Sequence, residues 1–133
     1  MQKYCVKCIY TDLPSTTITL HEKDTIFLEG DDLLYSFMIS KGLVKVSRIT
    51  INGEEKIFDI FGPNEFLALV SMLKEDEHYI ATATCLTEVE LKLLHKEDVL
   101  QAYKSNNRFK DICISCAMTR TNLFQSHLFN ASN

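Results

Sequence analysis

Polar and apolar residues alternate in short runs from Thr17 to about Leu94, and Gly, Asn and Asp punctuate them. The runs Thr17 to Leu20, Thr25 to Leu28, Phe37 to Ser40, Leu43 to Ile49, Lys56 to Ile60, Ile80 to Cys85 and Val89 to Leu94 read as strands. Successive side chains of a strand point to opposite faces, so a half-buried strand alternates. Asn52-Gly53 lies between two such runs and predicts a tight hairpin, because both residues tolerate positive φ. Phe66 to Leu73 is a short apolar stretch without alternation and predicts about two turns of helix. About eight antiparallel strands follow from this pattern, arranged as a sandwich or barrel.

The pattern then changes period. Residues 96–105 have helical composition, with Glu97 and Asp98 in the first turn, where the helix dipole favours negative charge. From 107 to 129 there is neither Pro nor Gly, and Asn106 or Asn107 can cap the start of a helix of about six turns. Phe109, Ile112, Cys116, Thr119 and Leu123 recur at three- and four-residue spacing, the seam of a helix pair. Cys113, Ala117, Phe124 and Leu128 form a neighbouring stripe. A helix apolar on two faces must bury both, so one stripe is expected on the strands and the other on a second copy of the same helix.

With 133 residues, 46% of them hydrophobic and 24% charged, the chain is expected to be one globular domain. The net charge of -4 and the lack of a Lys/Arg run interleaved with aromatics argue against direct nucleic-acid binding. No segment reads as a signal peptide or membrane span, so the expected location is cytoplasmic and no membrane partner is expected. In that compartment the five cysteines are expected as reduced thiols.

At this point the residues resemble a family. Gly30-Asp31, the strand with Phe37 and Ile39, Gly42-Leu43-Val44-Lys45-Val46 and the Asn52-Gly53-Glu54-Glu55 hairpin, followed by the long helix, are similar to the effector half of CRP/FNR transcription regulators. The resemblance covers essentially the whole chain. It implies a mainly β fold with α elements: an antiparallel double-stranded β-helix, or jelly-roll barrel, over residues 17–94, after an N-terminal segment 1–16 and before a dimerisation helix 107–129. It also implies a homodimer whose DNA contacts belong to a C-terminal domain, expected to be missing here since the sequence stops soon after the helix.

Relatives that bind cyclic nucleotides carry Gly-Glu in one loop and Arg beside Ser or Thr in a later one. The guanidinium and backbone amides neutralise the cyclic phosphate, and the Glu accepts from the ribose hydroxyl. Here those effector-pocket positions read Ala68, Leu69, His78 and Tyr79, and Glu75, Asp76 and Glu77 stand where an anion would sit. Like charge repels it, so the expected effector is not a cyclic nucleotide.

Two C-x-x-C pairs, Cys5/Cys8 and Cys113/Cys116, match the spacing of a redox couple, metal site or iron-sulfur ligand set. Oxygen-sensing relatives hold such a cluster, but on an N-terminal group with a third cysteine close by, whereas the next here is Cys85. Cys113 and Cys116 fall inside the apolar stripes and read first as small fillers. No cofactor is therefore expected, with an iron-sulfur cluster as the alternative. The histidines at 21, 78, 95 and 127 lack ligand spacing, and no catalytic motif stands out, so no enzyme is expected. The reading is a sensor and dimerisation domain of a CRP/FNR-type regulator with an unknown effector. Its alternatives are a stand-alone module acting on a protein partner and a thiol or iron-sulfur sensor on the same fold.

Overall fold

A computed structural model describes residues 13–118. The strands are β1 (Thr16–Leu20), β2 (Thr25–Phe27), β3 (Tyr35–Lys41), β4 (Val44–Ile49), β5 (Glu55–Phe61), β6 (Phe66–Leu67), β7 (Thr82–Cys85) and β8 (Val89–His95). Helix α1 is Leu69–Leu73 and α2 is Lys96–Ser105. A third helix, α3, runs from 107 to the end of the described residues at 118.

Two four-stranded antiparallel sheets face each other, one ordered β1-β8-β3-β6 and the other β2-β7-β4-β5. This is the jelly-roll order. The expected barrel is corrected to a sandwich, because no ladder among the described residues joins the sheets into a closed cylinder. The chain crosses from β5 in one sheet to β6 in the other at residues 62–65. Pro63 offers no backbone donor, Asn64 turns the chain at φ 71°, and the Glu65 carboxylate accepts from the Gly62 N–H at 2.7 Å.

The β4–β5 hairpin forms where Asn52-Gly53 predicts it, with a different turn. Only Gly53 takes positive φ, at 84°. Its N–H donates to the Thr50 carbonyl at 2.9 Å, and the Thr50 N–H donates to the Glu54 carbonyl at 2.8 Å. That is a three-residue loop ending in a left-handed glycine, so only the glycine needs the special conformation.

The stretch 66–73 is also corrected: it splits into strand and helix. Phe66 and Leu67 pair with Met38 and Phe37. Ala68 then turns left-handed at φ 65°, and α1 makes little more than one turn.

The first sheet is covered on both faces, so β3 buries Ser36, Phe37, Met38 and Ile39 consecutively. Phe37 and Ile39 face the gap between the sheets, with Val44, Leu67, Ala83, Cys85, Val89 and Leu91. Met38 faces the other way and packs with Leu33, Phe66, Leu69, Met72, Tyr79, Leu94 and Val99 under the helices.

Helix α3 starts as its sequence predicts, with the Asn106 side-chain oxygen accepting from the Phe109 N–H at 3.0 Å. Its expected seam is corrected. Phe109 is 2% exposed and Ile112 5%, and both lie with Cys113 in the core under the helices, with Cys116 packed against it. Phe109, Ile112, Cys113 and Cys116 therefore share one face, turned toward the chain's own first sheet. The free face is the opposite one, with Asn107, Asp111, Ile114 at 44% exposure and Met118 at 62%. Thr119 and Leu123 lie outside the described residues.

Candidate effector site

The four pocket positions come together only in part. Ala68 packs against the core cluster that holds Leu69 and Tyr79. An alanine in left-handed backbone costs about 1 kcal/mol relative to glycine. Leu69 points into the core, so no carboxylate projects from the start of α1.

His78 stays outside. Its Nδ1 lies 3.3 Å from Oδ1 of Asp32, and both side chains are largely exposed. Asp32 and His78 form a single antiparallel bridge that zips the loop 74–80 to the turn 30–33. Around it the Gly30 N–H donates to the Tyr79 carbonyl at 2.8 Å, the Tyr79 N–H to Asp31 at 2.9 Å and the Leu33 N–H to Glu77 at 3.0 Å.

Tyr79 goes inward. Its ring stacks on Phe27 with centroids 4.0 Å apart and planes 11° from parallel, and Phe27 stacks in turn on Phe37 at 5.9 Å. The Tyr79 hydroxyl donates to the Tyr35 carbonyl at 2.8 Å and accepts from the Tyr35 N–H at 3.3 Å. Burial pushes its phenol pKa up, so the group is held neutral. Phe27 and Tyr35 were not legible as site residues. The one available signal was a bulky aromatic at 79, where the resemblance implies a small hydroxyl residue.

The rim is acidic. Asp31 and Asp32 on the turn face a loop carrying Glu75, Asp76 and Glu77, with Lys74 Nζ 3.8 Å from the Asp76 carboxylate. The gap between the sheets is walled by apolar side chains.

Burial pushes the Cys113 thiol up to about 12, with a smaller push from Cys116, and raises that of Cys85. A protonated, buried thiol is a poor nucleophile and a poor metal ligand. Among the described residues no three His, Cys, Asp or Glu side chains cluster as metal ligands. Cys5 and Cys8 lie outside the described residues. Among the described residues no helix is long and apolar enough to cross a membrane.

Two facing antiparallel sheets, a short helix and loop at one end, and a longer helix closing the outer face define the jelly roll of ligand-sensing domains. Residues 17–106 match the family model for the cyclic nucleotide-binding domain. The chain belongs to that family, in its CRP/FNR branch. It is similar to the global nitrogen regulator of Nostoc sp., 35% identical over 96 residues, or 70% of this chain and 42% of that protein. It also resembles the cyclic AMP receptor protein of Thermus thermophilus, 32% identical over 75 residues, or 56% and 34% of the two chains. Among solved structures, the sensor domain of the transcriptional regulator DNR from Pseudomonas aeruginosa superposes with a TM-score of 0.70 at 23% identity, covering 80% of this chain and 71% of that one. The chain spans less than half the length of these two curated relatives.

Proposed function

We propose that the chain is the sensor and dimerisation domain of a bacterial transcription regulator, that its effector is not a cyclic nucleotide, and that it carries no catalysis of its own. The observation that carries this reading is the placement of Leu69 and Tyr79 in the core. A cyclic phosphate needs a cation or converging amides and a ribose needs an acceptor, whereas this site offers apolar walls and an acidic rim. Titration calorimetry with cAMP and cGMP tests it. No saturable heat is expected, and micromolar binding of either overturns the reading.

The dimer belongs to the same proposal, now through the free face of α3 with Ile114 and Met118 rather than through Phe109 and Ile112. A shift of α3 against its sheet would then change the spacing of any DNA-reading domains attached beyond it. Sedimentation at tens of micromolar is expected to give a dimer, and a monomer there overturns this part. The thiol-sensor alternative finds no support at Cys113, whose buried sulfur is held protonated, and Cys5 and Cys8 lie outside the described residues.

A further inference from the structure

Between residues 74 and 80 only Tyr79 is buried. Its ring therefore anchors a charged, exposed loop to the interior. The ring touches both compartments of the fold: it belongs to the core under the helices, and it stacks on Phe27, which packs against both cores. That helix-side core also holds Phe109, Ile112 and Cys113 of α3. Whatever occupies the Tyr79 position is thus part of the packing that seats α3.

The slot has a definite chemistry. One wall is the face of Phe27, which suits a flat ring in offset stacking. One end is the backbone of Tyr35, which both accepts from and donates to the hydroxyl. On the same strand, the Ser36 hydroxyl is fully buried without a hydrogen-bond partner among the described residues, on the face that Met38 presents to the helix-side core. The acidic rim and apolar walls disfavour anions.

We propose that the Tyr79 side chain is a resident ligand held in cis, filling a slot built for a flat, neutral phenolic ring, and that occupancy of this slot seats α3. The proposal rests on the sensor-domain reading above and deepens it by naming the ligand chemistry. A molecule that fills the slot once the ring is removed must be a small uncharged hydroxyaromatic.

The test removes the ring and gives it back. Tyr79→Ala excises phenol, the ring and hydroxyl beyond the β-carbon. Hydrogen exchange at amides 109–113 and the melting temperature are measured on the whole chain with and without millimolar phenol, with benzene as the ring lacking the hydroxyl. In the variant, exchange at 109–113 is expected to quicken by roughly tenfold or more. Phenol is expected to reverse this, benzene to reverse it less, and the wild type to respond to neither. Unchanged exchange on excision, failure of phenol to restore it, or saturable stabilisation of the wild type overturns the proposal. If Tyr79→Ala does not fold, Tyr79→Phe keeps the slot filled. It should show wild-type exchange in α3 and no response to phenol, and a saturable response there is equally fatal. Cyclic-nucleotide binding by the wild type would strike the functional reading and leave the phenol result standing, so the two failures are distinguishable.

Discussion

Gly42 and the carbonyl of Glu88 are pressed together: a methyl group on the Gly42 α-carbon would overlap that oxygen and crowd the Thr87 hydroxyl and a Val89 methyl. Gly42 also sits at φ 96°, in the left-handed region. The turn into β4 is tied to the β7–β8 connection by the Leu43 N–H, which donates to the Thr87 hydroxyl at 3.1 Å, and by the Leu86 N–H, which donates to the Leu43 carbonyl at 2.9 Å. Gly42→Ala is therefore expected to cost about 3 kcal/mol or more in urea unfolding, through overlap and backbone strain together. Gly53→Ala, with open space around it, should cost about 1 kcal/mol. Equal losses would remove the close approach as the cause.

The two faces of α3 should separate fold from assembly. Ile114→Glu and Met118→Glu are expected to leave the melting temperature of dilute protein nearly unchanged and to halve the mass seen in sedimentation. Ile112→Ala should instead destabilise the domain by about 2–5 kcal/mol, because it opens a cavity in the core. If Ile112→Ala dissociates a still stable chain, the assigned faces are reversed.

Alkaline pH should weaken the fold through Cys113. The unfolded thiol ionises near 9.0 while the folded one holds its proton to about 12. Its contribution is fully present below about pH 9 and is lost as pH rises toward about 12, because only the unfolded chain releases that proton. Cys113→Ala should flatten the fall in melting temperature between about pH 8 and about pH 11, leaving the part due to Cys85 and Tyr79, whose pKa values are raised in the same direction. An unchanged slope would mean that the thiol is not shielded.

Ser36→Ala removes a buried hydroxyl that has no hydrogen-bond partner among the described residues. Losing an unpaired polar group from a core is neutral or favourable, so stability should hold or rise by up to about 1 kcal/mol. A loss greater than that in chemical denaturation would mean that the hydroxyl has a partner after all.

The strands were legible because alternation is a local property: a half-buried β1 or β7 shows its two faces in its own residues. Turns and caps were legible for the same reason. Gly42 is needed by its own φ, and Asn106 caps α3 through an amide three residues away. The family was legible because the order of these local signals is specific, although none is so alone.

What escaped depended on partners distant in sequence. Phe66-Leu67 became a strand only because β3 offered an edge to pair with, which no window around residue 66 contains. The stripes of α3 carry the three-and-four spacing of any packed helix. That spacing shows which residues are buried and not against what, so whether Phe109 and Ile112 meet a second copy or their own sheet was decided only by the fold. At the effector site the sequence, set beside the family it resembles, told only what is lacking: the Gly-Glu pair at 68 and 69 and any arginine in the loop from Lys74 to Tyr79. Tertiary structure alone decided what took their place, since the stack of Tyr79 on Phe27 joins residues more than fifty positions apart, and that contact arises only when the loop 74–80 is zipped onto the turn after β2.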